Sequence, residues 1–286
     1  MKNINKLFQD LKDLVGKGLI GSNDTILCIK SLYSHSCDLL RKYDKARLKS
    51  KVSGKEYFSY TFEGKLSRAI NENIFYPGEN LANAFFESIQ TNNVNSLAAD
   101  EITAACYNIA ISFCAAIDLN KTGDQKTPGT YFEYFIGCLF SKELGVLPTK
   151  KLNILNLDME ATLPTDFIFD LGKDKPKFHV PVKTSTRERV IQVWAHQRVL
   201  DGVYGTGRFL GTLACLSETK IDKKTLEVVE ICLPMQWRLY QMYISQLTRV
   251  YYLDKPNAYA ELNTIFPKIH VADFGMFFHE KEDLIS

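Results

Sequence analysis

No C-x-x-C pair occurs anywhere in the sequence. The seven cysteines, at positions 28, 37, 106, 114, 138, 215 and 232, stand apart and mostly inside apolar runs. That excludes clustered zinc sites and a disulfide framework, and buried reduced thiols are expected. Long hydrophobic runs are also missing. Nothing reaches the ~18 to 20 consecutive apolar residues of a membrane span, and the opening MKNINKLFQDLKDLVGKG lacks a signal-peptide core, so a soluble cytoplasmic protein without a membrane partner is expected. Charge of one sign is barely in excess, with 35 Lys and Arg against 33 Asp and Glu. The basic runs RKYDKARLKSK (41 to 51) and KTSTRER (183 to 189) each read, taken alone, as solvated faces.

Several signatures are absent too. There is no G-x-x-x-x-G-K-[ST] loop, G-x-G-x-x-G fingerprint, G-x-S-x-G elbow or H-E-x-x-H helix. Nucleotide hydrolysis, dinucleotide chemistry, serine hydrolysis and zinc proteolysis therefore lack support. The glycines of YGTGRFLG (204 to 211) precede a strand pattern where a phosphate-binding fingerprint precedes a helix, and they read as a turn.

What is present is enough for a sizeable core: 286 residues, 45% of them hydrophobic. The first ~145 residues read as helical. NDTILCIKSLYSHSCDLLRKY and SLAADEITAACYNIAISFCAAIDL carry helical spacing, with turns at SGKEYF and YPGEN. TPGTYFEYFIGCLFSKELGV is a further buried helix, entered at Pro128 and Gly129 and stopped at Gly145. The pattern then changes to strands at 152 to 158, 165 to 171 and 177 to 184, followed by a helix at 186 to 202. Two more strands, RFLGTLACLSE and LEVVEICL, are expected to pair across TKIDKKT. MQWRLYQMYISQLTRVYYL reads as one long helix with a core-facing aromatic stripe. The order gives an α/β fold with a mixed central sheet flanked by helices. Residues 1–125 form a mainly helical region packed on a 126–286 core, as one integrated domain.

Period-two alternation sorts the side chains of the strand pair. Phe167, Phe169 and Leu171 oppose Asp166, Ile168 and Asp170; Phe178, Val180 and Val182 oppose His179, Pro181 and Lys183. Asp166 and Lys183 thus share one face of adjacent strands. Phosphodiester hydrolysis needs a hard cation and carboxylates to hold it, and a nearby ammonium to offset charge on the phosphate or orient the water. A second acid is required, and two are near: Glu133 on the helix leading into the sheet, and Glu188 in the first turn of the helix after Lys183. Each has a plainer reading. Ser185 and Glu188 also fit a capping box, and Glu133 fits a polar edge on a buried helix. His179 and His196, without a third ligand, read as surface or satisfied polar groups.

PTD ending at Asp166, then a strand ending in VK at Lys183, then a helix, resembles the PD-(D/E)xK nuclease superfamily, most of all type II restriction endonucleases. GTYFE, with Gly129 and Glu133, is similar to the N-terminal core helix of such enzymes, whose glutamate faces the metal site. The resemblance covers residues 128 to 217. It implies a restriction-endonuclease-like core, Mg2+ as cofactor, Asp166 with Glu188 or Glu133 as metal ligands, and Lys183 as a catalytic group. It further implies double-stranded DNA as substrate, a homodimer cutting both strands, and functional pairing with a DNA methyltransferase. Arg187 and Arg189, with Thr184, Ser185 and Thr186, would then contact phosphates. The departure is Pro181, where the family usually carries an acid two residues before its lysine. Glu188, or Gln197 as a neutral stand-in, would compensate, and the strand is expected to bulge or go unpaired at the proline. A structure-specific repair nuclease and a noncatalytic DNA-binding protein with the same fold remain alternatives.

Overall fold

The computed structural model describes residues 1–76, 79–121, 123–154 and 161–286, with backbone only at 79, 153, 154, 161 and 188. The chain opens with α1 (Lys2–Gly16) and α2 (Asn23–Leu40), the second started by the Ser22 hydroxyl, which accepts from the Thr25 amide at 3.2 Å. Five short strands follow: β1 (Asp44–Arg47), β2 (Lys49–Ser50), β3 (Tyr57–Phe62), β4 (Lys65–Leu66) and β5 (Ile70–Asn71). They stand within a region expected to be mainly helical and had no signal of their own in the sequence. Segments of two to six residues show no period of their own, and pairing makes them strands: β1, β4 and β5 all lie antiparallel to β3.

The helices α3 (Glu79–Gln90), α4 (Ala99–Asn120) and α5 (Lys126–Leu144) come next. Gly145 stops α5 with φ 67°, the left-handed cap conformation that glycine takes without a Cβ penalty. Then come β6 (Thr149–Ile154), β7 (Ala161–Phe169), β8 (Lys177–His179), β9 (Val182–Lys183), α6 (Ile191–Tyr204), β10 (Phe209–Cys215), β11 (Thr219–Asp222), β12 (Glu227–Glu230), α7 (Pro234–Tyr243), β13 (Arg249–Tyr252), β14 (Val271–Asp273) and α8 (Met276–Ile285).

The central sheet runs β14-β13-β10-β8-β7-β6, with β9 continuing β8 along β10. β10 is parallel to β8, β9 and β13, whereas β6, β7 and β8 are antiparallel neighbours. Alternation divides its side chains between two covers. Phe167, Phe169, Phe178, Val180, Val182, Ala214, Leu216 and Tyr251 join the core formed with α1 to α5 and α8. Leu213, Cys215, Val250 and Tyr252 face Trp194 of α6 and Trp237 of α7 on the opposite side. α4 is buried all round, at the centre of the helical layer; it is apolar and long enough to span a membrane by composition, but 94% of that window lies inside the fold. α8 approaches it so closely that a Cβ at Gly275 would sit 1.9 Å from the Ala99 carbonyl oxygen.

Three other expectations are corrected. The predicted helix 235 to 253 ends at Tyr243, and Arg249–Tyr252 is a strand parallel to β10. Gln241 makes the break: its amide nitrogen donates to the Leu247 carbonyl at 3.1 Å and its oxygen accepts from the Leu247 amide at 3.0 Å. β10 does not pair with β12; the intervening TKID is itself β11 and forms the hairpin with β12, whose other edge is β2. The predicted helix 186 to 202 divides into a 3-10 turn at Arg187–Arg189 and α6, which passes through Gly202 and ends at Gly205. Of the strand expected at 152 to 158, residues 155 to 158 lie outside the described residues.

Candidate active site

The β7–β8 hairpin sets the site. Pairing holds Ile168 opposite His179 and Phe169 opposite Phe178, and the Val180 amide donates to the Phe167 carbonyl at 2.9 Å. One step further the ladder opens. The Val182 amide donates to Asp166 Oδ2 at 2.8 Å, so a side-chain carboxylate takes the bond a main-chain carbonyl would receive. The Lys183 ammonium donates to the same oxygen at 2.7 Å, with the two side chains 22% and 27% exposed. Pro181 interrupts the strand but does not bulge it. Its carbonyl still accepts from Ala214 at 3.0 Å, and the partners on β10 keep one register from Lys177 opposite Phe209 to Lys183 opposite Cys215.

α5 packs against β7 and β9 and brings Glu133 to this pair. Burial raises the Glu133 carboxyl pKa above the ordinary range, and the neighbouring Asp166 raises it further, while Lys150 and Lys183 oppose the shift. The Lys150 ammonium lies 3.8 Å from Glu133 Oε2 and over the Phe167 ring, 4.9 Å from its centroid. Lys150 gave no signal in the sequence, where it is one lysine of a pair entering β6.

From the other cover, α6 contributes His196. It is partly buried, and its pKa is lowered by that burial and by the Lys183 ammonium, with Asp166 pulling the other way. His179 is fully buried with its Nδ1 hydrogen-bonded, so of the surface or polar roles expected for it the polar one applies, and burial holds its pKa down to about 4. Gln197 Oε1 lies 2.9 Å from His179 Nδ1, and the Gln197 nitrogen donates to Asp201 Oδ1 at 3.0 Å and to the Phe209 carbonyl at 2.9 Å. Two acceptors fix the amide nitrogen, so its oxygen faces the histidine and the neutral ring carries its proton on Nδ1. Gln197 is spent in this network and is no stand-in for a metal-binding acid.

The segment after Lys183 is sorted by exposure. Arg187 and Arg189 are exposed, Thr184 and Ser185 are partly covered, and Thr186 is buried at 2% exposure. Thr186 gives both its amide and its hydroxyl to Glu218, at 2.9 and 2.6 Å, which corrects its expected role as a phosphate donor. The Ser185 hydroxyl also donates to Glu218, at 2.8 Å. The Glu188 side chain lies outside the described residues.

Among the described residues no three acid, histidine or cysteine side chains converge as a metal cluster. Two carboxylates on facing elements, Glu133 with its pKa raised by burial and by Asp166, nevertheless suit Mg2+, which commonly takes one or two carboxylates and completes its shell with water and phosphate oxygens.

No family model matches the sequence, and no curated protein matches it. Among solved structures the chain is similar to the type IIP restriction endonuclease Kpn2I, with 26% identity and a TM-score of 0.83 over 99% of this chain and 97% of that one. A looser match is the complex of the restriction endonuclease PspGI with substrate DNA, at 13% identity and a TM-score of 0.40, over 72% and 92% of the two chains. Full-length agreement at that TM-score takes in the N-terminal helices as well as the sheet. The chain has the fold of a type II restriction endonuclease.

Proposed function

We propose that this protein is a Mg2+-dependent, sequence-specific endonuclease that hydrolyses phosphodiester bonds in double-stranded DNA. The observation that carries the reading is the Asp166–Lys183 pair, 2.7 Å apart where the β7–β8 ladder opens, with Glu133 beside it. Asp166 and Glu133 would hold the cation, with Glu188 as the further candidate acid. The bound metal would supply a Lewis acid for the phosphate and lower the pKa of a coordinated water. Lys183, steered by Asp166, places its ammonium where negative charge builds on the phosphoryl oxygens as water attacks phosphorus and the leaving oxygen departs. Arg187 and Arg189 stand on the exposed turn beyond Lys183 and are suited to phosphate contacts.

Cutting both strands of a duplex symmetrically calls for two such sites, hence a homodimer. A methyltransferase protecting the same sequence in the cytoplasm completes the reading. Incubation with Mg2+ and long duplex DNA tests it. Discrete fragments are expected, with activity abolished in Asp166→Ala and Lys183→Ala variants that still fold. Cuts confined to junctions would transfer the site to a repair nuclease, and binding without cutting would make the protein a noncatalytic DNA binder. Undiminished cleavage by both variants would sink the site.

A further inference from the structure

Between Lys183 and the arginine pair the chain leaves the sheet, and a distant side chain holds the departure. Main-chain bonds from Leu216 to the Lys183 carbonyl at 3.0 Å, and from Ser217 to the Thr184 carbonyl at 3.3 Å, guide it as far as Thr184. From there Glu218 takes over. It is 1% exposed, and its Oε2 accepts from the Ser185 hydroxyl at 2.8 Å. Its Oε1 accepts from the Thr186 amide at 2.9 Å, the Thr186 hydroxyl at 2.6 Å and the Tyr252 hydroxyl at 2.9 Å, with the Cys215 thiol at 3.5 Å.

Hydroxyls, an amide and a thiol from three segments at the C-terminal ends of β9, β10 and β13 thus surround a carboxylate, and these bonding partners include no Lys or Arg. Such a group is costly to bury unless every lone pair is used. Its bonds fix the residue before Arg187, which has φ 37° in the left-handed region that non-glycine residues rarely enter. The Arg189 amide then closes on the Thr186 carbonyl at 3.0 Å, and both arginines face outward. The strained turn is anchored on its N-terminal side by Glu218.

We propose that Glu218 is a positioning residue for DNA binding: it holds the Ser185–Thr186 turn so that Arg187 and Arg189 meet the duplex at a set distance from Lys183. This rests on the nuclease reading, but the clamp itself is testable without DNA.

The first measurement is limited trypsin digestion, because Arg187 and Arg189 are cleavable only when their turn loosens. Glu218→Ala is expected to be nicked there at least tenfold faster than the unaltered protein. Glu218→Gln keeps a carbonyl for the Oε1 bonds and turns its amide to the Ser185 hydroxyl, which can accept, so it should stay within threefold. If Glu218→Ala does not fold, Thr186→Val removes one hydroxyl from the clamp and should give intermediate nicking.

The second measurement is duplex binding in a Lys183→Ala background with Mg2+, where no strand is cut. Glu218→Ala and Arg187→Ala should each weaken binding about tenfold, and together by little more than either alone, because one acts through the other. Losses that multiply, or trypsin resistance and affinity unchanged in Glu218→Ala, would overturn the proposal. An unaltered protein that neither binds nor cuts DNA would remove the nuclease reading, while the digestion would still decide the clamp.

Discussion

Gln197 Oε1 reaches His179 Nδ1 at 2.9 Å through a space that exists because residue 211, paired opposite His179, is glycine. A Cβ at Gly211 would lie 2.7 Å from Gln197 Oε1 and 2.8 Å from Leu247 Cδ2. Gly211→Ala is therefore expected to destabilise the fold by about 1–3 kcal/mol through overpacking. It should also lower cleavage by displacing Gln197 of α6 from His179, which lies on the strand leading to Lys183. Urea unfolding and cleavage assays on one preparation check both effects.

His179 makes stability depend on pH. Its folded pKa of about 4 lies below the ~6.5 of an unfolded chain. Between those values the unfolded state binds the proton and the folded state does not, so this contribution is full above pH 6.5 and is lost as pH falls toward 4. From pH 7 to pH 5 the loss should be about 2 kcal/mol. His179→Asn cannot titrate and should show a correspondingly shallower fall across the same range, whatever its stability at neutral pH. Identical slopes in the two proteins would contradict the buried neutral ring.

Glu133 trades stability for function in this reading. Burial and Asp166 raise its pKa, so its charged form is disfavoured in the fold, and that penalty grows as pH rises through the raised value. Glu133→Gln should leave metal-free stability equal or slightly higher, within about 1 kcal/mol given the solvent screening of a partly exposed group. Cleavage should fall by a factor of about 100 or more. Glu188→Gln is the companion variant, and whichever of the two raises the Mg2+ requirement marks the second ligand.

The N-terminal strands are tied to the sheet by Lys55. Its ammonium donates to Glu230 at 3.1 Å, to Asp254 at 2.8 Å and to the Lys255 carbonyl at 2.6 Å, and the Asp254 side chain is only 3% exposed. Lys55→Met would leave that carboxylate without its cation, held by the Asn71 amide at 2.9 Å and the Tyr57 hydroxyl at 3.5 Å, and is expected to cost about 3 kcal/mol. Lys55→Met combined with Asp254→Asn should recover part of the loss, as measured by thermal unfolding.

Asp166 and Lys183 were legible because alternation along two adjacent strands assigns faces without any knowledge of neighbours. The helix carrying Glu133 was legible for a similar reason, with proline and glycine marking its ends. β13 was not, because RVYYL is buried on both sides of the sheet and its aromatics continue the three-and-four spacing of α7. Pairing with β10 and β14 and the Gln241 bonds made across a turn distinguish the two. β1 and β2 are short and charged, and only their partners make them strands. Glu218 could not be found from pattern, since it meets Ser185 and Thr186 across 32 or 33 positions of sequence. His196 was visible only as an isolated histidine until α6 was laid over Asp166.

Asp166 spends one oxygen, Oδ2, on both the Val182 amide and the Lys183 ammonium. A cation at this carboxylate would therefore have Oδ1 as its principal grip and would draw most of its shell from water and from the phosphate being cut. Metal and DNA would then be mutual ligands, each raising the other's affinity by the same factor. The enzyme would hold its cofactor weakly in solution and firmly on its substrate, so that hydrolytic competence arises only where DNA is already bound.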